Sequence, residues 1–196
     1  MLGFIASAIS AVVSIAKVVA PIIGKVVSVA QTVFSTLGVF KPNETVESVG
    51  DRAIQADENG IDRSKFENHD EYMEALRDFE LDPERSDEIS TEEKQVVGVA
   101  VGTQGVAEKY DIKIDGETWV CVAKSPDYFT PERIKALVEK GVDMKTVTNY
   151  FQDKLGPTQS VNVEKTLMEV DRKIDPELNN GGLYSQLDQV RDAMGK

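Results

Sequence analysis

The first forty residues carry apolar side chains at steps of three and four residues in unbroken alternation. That spacing places them along one side of a helix, as in a coiled-coil seam. The seam consists of Leu2, Ile5, Ile9, Val12, Ala16, Val19, Ile23, Val26, Ala30, Val33, Leu37 and Phe40. A polar stripe on the opposite side consists of Ser7, Ser10, Ser14, Lys17, Ser28, Gln31 and Ser35. The pattern predicts a long helix that is apolar around most of its circumference, with a kink or break at Pro21, which has no backbone N–H to donate.

Beyond residue 41 the apolar spacing stays helical, and stronger turn signals divide it into shorter helices. Asn43 is a candidate N-cap, residues 81–88 are expected to form an acidic loop, and the capping box from Ser90 to Glu93 opens a helix. The sequence therefore predicts a mainly α protein in three parts. These are an apolar helix over 1–41 for oligomerisation or membrane insertion, an acidic helical segment over 42–93 and a compact helical domain over 94–196.

Residues 109–123 admit two interpretations. Alternating apolar residues flank Asp115-Gly116, a hairpin turn signal, which would give a single β-hairpin. Alternatively, Asp115 caps a helix that runs from Glu117 to Lys124. The helix is favoured, since two isolated strands would have no sheet to join.

Charge is segregated along the chain. The net charge is −12, and residues 1–41 contain three lysines and no acid, so the other 155 residues carry −15. A surface this negative repels phosphate backbones, and direct nucleic-acid binding is not expected. The apolar start lacks the basic region of a signal peptide, and Lys17 and Lys25 interrupt it. Its longest charge-free runs, 1–16 and 26–40, fall short of the roughly 20 residues that span a bilayer.

No segment carries a catalytic, cofactor-binding or metal-binding motif, so no residue is assigned to such a site and no cofactor or small-molecule substrate is expected. His69, the only histidine, is expected to lie exposed in a capped turn, and Cys121, the only cysteine, to be a buried and inert thiol. The oxygen-bearing residues around Gly60 do not have the register of a calcium loop. Gly98, Gly102 and Gly105 fit no phosphate-binding pattern, and close helix packing is the expected reason for them.

Three roles remain open for the N-terminal helix: an ordinary buried helix, self-association or insertion into lipid. Self-association is favoured, because such regular alternation is what a helix–helix seam imposes. The prediction is a non-enzymatic structural protein, a homo-oligomer within a larger protein assembly, whose N-terminal helices form a bundle or tube. The alternative is a membrane-active, pore-forming or ejection protein that contacts a bilayer through residues 1–40.

A Val/Ala/Ser/Gly-rich N-terminal helix followed by an acidic helical body resembles the small structural or ejected proteins of tailed-phage particles and related injection machines. The resemblance lies in the organisation of residues 1–41 and of the segment from Ser90 to Pro157. It implies a component of a virion or injection particle, whereas the alternative function implies a membrane-associated protein. No site residue is carried over from it.

Overall fold

The computed structural model describes residues 9–195, and side chains from residue 14 onward. Within this range the protein is helical and contains no strand, which confirms the predicted mainly α fold. The helices are α1 (Ile9–Val19), α2 (Ile23–Thr36), α3 (Val46–Glu58), α4 (His69–Asp78), α5 (Pro83–Glu88), α6 (Thr91–Tyr110), α7 (Gly116–Lys124), α8 (Pro131–Glu139), α9 (Met144–Phe151), α10 (Pro157–Ile174) and α11 (Asn180–Ala193).

The break predicted at Pro21 is present. A single 3-10 turn over Ala20–Ile22 separates α1 from α2, with the proline in the first positions of that turn. Proline cannot donate the hydrogen bond that would continue α1, so the helix is interrupted where that bond is missing. The N-terminal apolar segment is therefore two consecutive helices in the described range.

Helix α6 is the central element, and close backbone contact with α3 holds it in place. The capping box at Ser90 and Glu93 starts it as predicted. A Cβ atom at Gly50 of α3 would overlap the Lys94 carbonyl, and one at Gly98 of α6 would overlap the Val46 carbonyl. The two backbones therefore cross in direct contact, which is the packing role expected for Gly98.

One hydrophobic core runs through all three predicted parts of the chain. It includes Val33 from the first part, Val49 from the second and Leu137 from the third. Helix α2 packs against α6, α7 and α8, and α1 packs against α6 and α7. The predicted boundary at residue 93 falls inside the first turn of α6. The three parts are thus layers around a common core in the structure.

Residues 116–124 form a helix, α7, and the hairpin interpretation is wrong. The Asp115 carboxylate accepts a hydrogen bond from the Thr118 backbone, and the Thr118 hydroxyl lies 3.4 Å from the Asp115 backbone nitrogen. These two reciprocal contacts give the backbone N–H groups at the start of α7 hydrogen-bond partners, as in a capping box. Trp119, fully inside the core, fixes which face of α7 is buried.

Two local predictions in the acidic segment are also wrong. Residues 83–88 are helical because the Asp82 side chain caps them and Pro83 occupies the first turn. Helix α3 begins after Thr45, whose side chain forms a capping box with Ser48, so Asn43 is not its cap. In both places a nearby side chain that the prediction had not used caps the helix: Asp82 for α5 and Thr45 for α3.

The C-terminal helices join the core through a buried ion pair. The Arg133 guanidinium of α8 donates to the Asp171 carboxylate of α10 at 2.7 Å, and the Tyr128 hydroxyl donates to the same carboxylate at 3.2 Å. Arg133 also donates to the Tyr128 carbonyl and lies over its ring. Asp171 is completely buried, so this cluster fixes α10 against α8.

Candidate functional site

Most of the described seam lies within the chain's own core. The buried members are Val19, Val26, Ala30, Val33, Leu37 and Phe40, while Ala16 and Ile23 are half-buried. Leu2 and Ile5 lie outside the described residues, as do the side chains of Ile9 and Val12. The regular alternation in α2 is therefore accounted for by contact with α6, α7 and α8 of the same chain.

The polar stripe faces away from that core. Its exposed members are Ser14, Lys17, Ser28 and Ser35; Ser7 and the side chain of Ser10 lie outside the described range. Gln31 is half-buried, and its amide accepts a hydrogen bond from the Val46 backbone at 2.6 Å and donates to the Glu44 carbonyl at 2.9 Å. The stripe thus supplies a solvated surface and, at Gln31, an anchor between α2 and the start of α3.

Apolar side chains remain at the surface around the 3-10 turn. We call Val18, Pro21, Ile22 and Ile23 the junction patch; Val18 is 36% exposed, Pro21 is exposed and the two isoleucines are half-buried. The patch adjoins residues 1–16, which contain no charged residue. These side chains leave apolar surface in contact with solvent on the N-terminal unit, as we call α1 and α2 together.

The segment Ser14–Thr36 is also long and apolar enough to cross a membrane by length and composition. It has 23 residues and a mean hydropathy of 1.6, and 28% of its most apolar window is buried in the fold. Core helices of soluble proteins can have the same properties. Val26 and Val33 of α2 are buried in the core of the chain.

His69 is buried, and the prediction of an exposed histidine is wrong. It is 4% exposed because its backbone N–H donates to the Glu108 carboxylate at 2.6 Å and its ring lies against Gly105 of α6. The ring borders an open cleft of about 260 Å³ that Asp70 and Lys109 also line. The sequence showed the cap at the start of α4, but not the glycine that makes room for the ring.

The two ring nitrogens of His69 have no hydrogen-bond partner in the part of the chain that the structure describes. Burial lowers the pKa of His69 to about 4, Arg63 acts in the same direction, and Glu108 and Asp70 oppose them. The imidazole is therefore neutral at pH 7. The cleft lining holds no hydroxyl or thiol for it to activate, so the arrangement does not form a nucleophile–base pair.

Cys121 is 1% exposed, and burial raises the pKa of its thiol to about 12. It remains protonated at neutral pH, as expected for an inert buried cysteine. Among residues 9–195 no group of three or more His, Cys, Asp or Glu side chains is placed to hold a metal ion. Asp62, near Gly60, instead caps the 3-10 turn over Arg63–Lys65.

Comparison of the chain with protein-family models, with curated proteins and with solved structures gives no match. The function is therefore inferred from the chain's own residues. The feature that carries that inference is the junction patch, which follows an uncharged apolar sequence.

Proposed function

We propose that the protein is a non-enzymatic structural subunit that self-associates, within a larger assembly, through its apolar N-terminal segment. The junction patch is the observation that carries this proposal, because Val18 and Pro21 expose apolar surface next to an uncharged apolar sequence. A contiguous apolar patch at the surface of a fold marks a candidate association site. The assembly to test first is a phage or injection particle, because the organisation of the chain resembles such proteins.

The rest of the chain, residues 42–196, has a complementary role in this proposal, and we call it the acidic body. Residues after 41 carry a net charge of −15, so neighbouring bodies repel one another. Contact is thereby restricted to the N-terminal unit, where lysines and apolar residues replace the acids. In the bundle or tube, neighbouring copies meet at their junction patches, and their acidic surfaces remain available to other subunits.

The experiment is a mass measurement on the full-length chain by light scattering and native mass spectrometry. The wild type is expected to be an oligomer, and Val18→Asp is expected to shift it towards the monomer. Val161→Asp is the matched control, since Val161 is also an exposed helical valine, 65% exposed on α10, far along the chain from the patch. A monomeric wild type, or an unchanged mass for Val18→Asp, would contradict the proposal.

Substitutions in the seam would not test the proposed self-association. Val19 and Val26 are fully buried in the chain's own core. An aspartate at either position would bury an unpaired charge and unfold the subunit, whether or not the subunit self-associates.

A second function is supported by the apolar segment Ser14–Thr36, which meets the length and composition of a membrane span. In this alternative, α1 and α2 leave the body, insert into a bilayer and turn the serine stripe towards a pore. Leakage of dye from vesicles of phosphatidylcholine and phosphatidylglycerol tests it. Leakage by a monomeric wild type would favour insertion, whereas an oligomer that leaves the vesicles intact would favour the structural role.

A further inference from the structure

The connection between α2 and the body passes over the C-terminal end of α6. Lys109 donates from Nζ to the Leu37 carbonyl at 2.8 Å and to the Gly38 carbonyl at 3.1 Å. The Tyr110 hydroxyl donates to the Leu37 carbonyl at 3.3 Å. These bonds satisfy the carbonyl groups of the turn that follows α2. The end of α6 therefore holds the turn that follows α2.

The side chain of His69 packs beside this turn. A Cβ atom at Gly105 would lie 2.6 Å from Nε2 of His69 and 2.6 Å from Cγ1 of Val39, so the ring and the valine share the space above the glycine. Val39 belongs to the turn, Gly105 to α6 and His69 to α4. The imidazole thus lies where α4, α6 and the turn after α2 come together, and we call this arrangement the His69 junction.

Charged groups from each neighbouring element surround the His69 junction. Helix α6 contributes Glu108 and Lys109, α4 contributes Asp70 and Arg77, and the preceding 3-10 turn contributes Arg63. Glu108 is already engaged, because it accepts from the His69 backbone and from the Arg63 guanidinium, each at 2.6 Å. Its charge favours a protonated ring, yet it offers no hydrogen bond to either ring nitrogen in the described structure.

We propose that the His69 junction is an acid-sensitive latch, in which protonation of the imidazole separates α4 from Gly105 and Val39 and releases the α1–α2 unit from the body. A charged imidazole has two N–H donors that need partners or water, and neither is available while the ring is wedged against Gly105. The cleft beside it admits water to the ring nitrogens once the ring has moved away from Gly105. Release would expose the α2 face that now packs against α6 and α7.

The direction of the pH effect follows from burial. The pKa of His69 is 6.5 in the unfolded chain and about 4 in the folded chain. The neutral ring therefore leaves the free energy of unfolding unchanged above pH 6.5, and that free energy decreases as the pH falls from 6.5 towards 4. By this linkage the ratio of closed to open protein falls roughly 40-fold between pH 6.5 and pH 4.5. The buried Glu44–Arg77 pair stays charged above about pH 4.5, because the pKa of Glu44 lies below its ordinary value. Burial also raises the pKa values of Asp57 and Asp171, so comparison with a His69 variant is what assigns the transition to His69.

Trp119 reports the opening. It is the only tryptophan, it is 1% exposed, and its ring meets Phe34 of α2 edge-on at 5.1 Å between centroids. Acidification of the full-length protein from pH 7.5 to 4.5 is expected to shift its fluorescence to the red while far-ultraviolet circular dichroism retains the helical signal. Loss of the helical signal together with the fluorescence change would overturn the latch, because it would mean global unfolding.

The variant His69→Gln separates the latch from general acid effects, since glutamine does not take up a proton in this range. Its fluorescence transition is expected to disappear or to move at least one pH unit lower. A transition identical to that of the wild type would overturn the proposal. If the variant does not fold, NMR titration of the single histidine in the wild type decides. A pKa well below 6.5, with the Trp119 change in the same pH range, supports the latch, whereas a pKa near 6.5 refutes it.

Discussion

Phe34 of α2 lies edge-on against Trp119 of α7, with 5.1 Å between the ring centroids. Both side chains are buried, and the Trp119 indole N–H donates to the Thr103 hydroxyl of α6 at 2.8 Å. Edge-to-face aromatic pairs of this kind contribute about 0.5 to 1.5 kcal/mol beyond their burial. This contact therefore joins the apolar N-terminal unit to the two helices at the centre of the body.

Gly102→Ala is expected to destabilise the protein by about 1 to 3 kcal/mol, because the added methyl group would overlap the Phe34 ring. Urea denaturation followed by circular dichroism measures the change. Gly24→Ala is the control, since Gly24 is exposed in α2 and has no atom within 4 Å of its added Cβ. The control is expected to gain about 0.5 to 1 kcal/mol from helix propensity. Equal effects of the two substitutions would show that α2 does not pack as described.

Asp171→Asn is expected to cost about 3 to 5 kcal/mol, because it leaves the buried Arg133 guanidinium without its counter-charge. The shift in melting temperature on thermal unfolding at pH 7 measures this loss of stability. Glu169→Gln serves as the control, because Glu169 lies on the same helix and pairs with Lys140 at the surface. A melting temperature for Asp171→Asn equal to that of the control would refute the structural role of the pair.

Glu44→Gln is expected to lower stability by about 2 kcal/mol at pH 7 and to have much less effect at pH 3. Burial raises the pKa of Glu44, but hydrogen bonds from Arg77 and from the Lys41 backbone outweigh it, so the pKa lies below its ordinary value. The pair therefore stabilises the fold above about pH 4.5, and that contribution is lost at lower pH.

Glu74→Gln is the matched control for this experiment, because Glu74 pairs with the same Arg77 from an exposed position. Its substitution is expected to change stability little at either pH. Chemical denaturation of both variants at the two pH values makes the comparison. A pH-independent loss in Glu44→Gln would show that shape, and not charge, is what Glu44 contributes.

Self-association of the full-length chain is expected to strengthen as the salt concentration rises from 20 mM to 500 mM. Salt screens the repulsion between bodies of net charge −15 over about 10 Å or less above 0.1 M, while apolar contact persists. Sedimentation velocity at the two salt concentrations measures the degree of self-association. Weaker association in high salt would point to an interface made by ion pairs instead of the junction patch.

The sequence predicted the helices well because their signals are local. The capping box at Ser90 and the break at Pro21 depend on residues within a few positions, and the structure confirms both of them. Asp115-Gly116 was ambiguous because the same pair can start a hairpin or cap a helix. The pair caps a helix that packs against α1, α2 and α9, and that packing depends on residues far away in the chain.

The candidate sites were less predictable, for the same reason. His69 is buried because Gly105 and Glu108, more than thirty positions away, meet it in space. The seam showed correctly which face of α2 is apolar. It could not show whether that face meets a neighbouring molecule or the chain itself, since both impose the same spacing.

The docking site of α2 consists of helices that are synthesised much later. About 100 residues separate the end of α2 at Thr36 from the end of α8 at Glu139. At translation rates of about 5 to 20 residues per second, that interval lasts roughly 5 to 20 seconds. During this time an apolar helix is outside the ribosome without its binding surface, so the nascent chain is expected to require a chaperone or a partner that shields it.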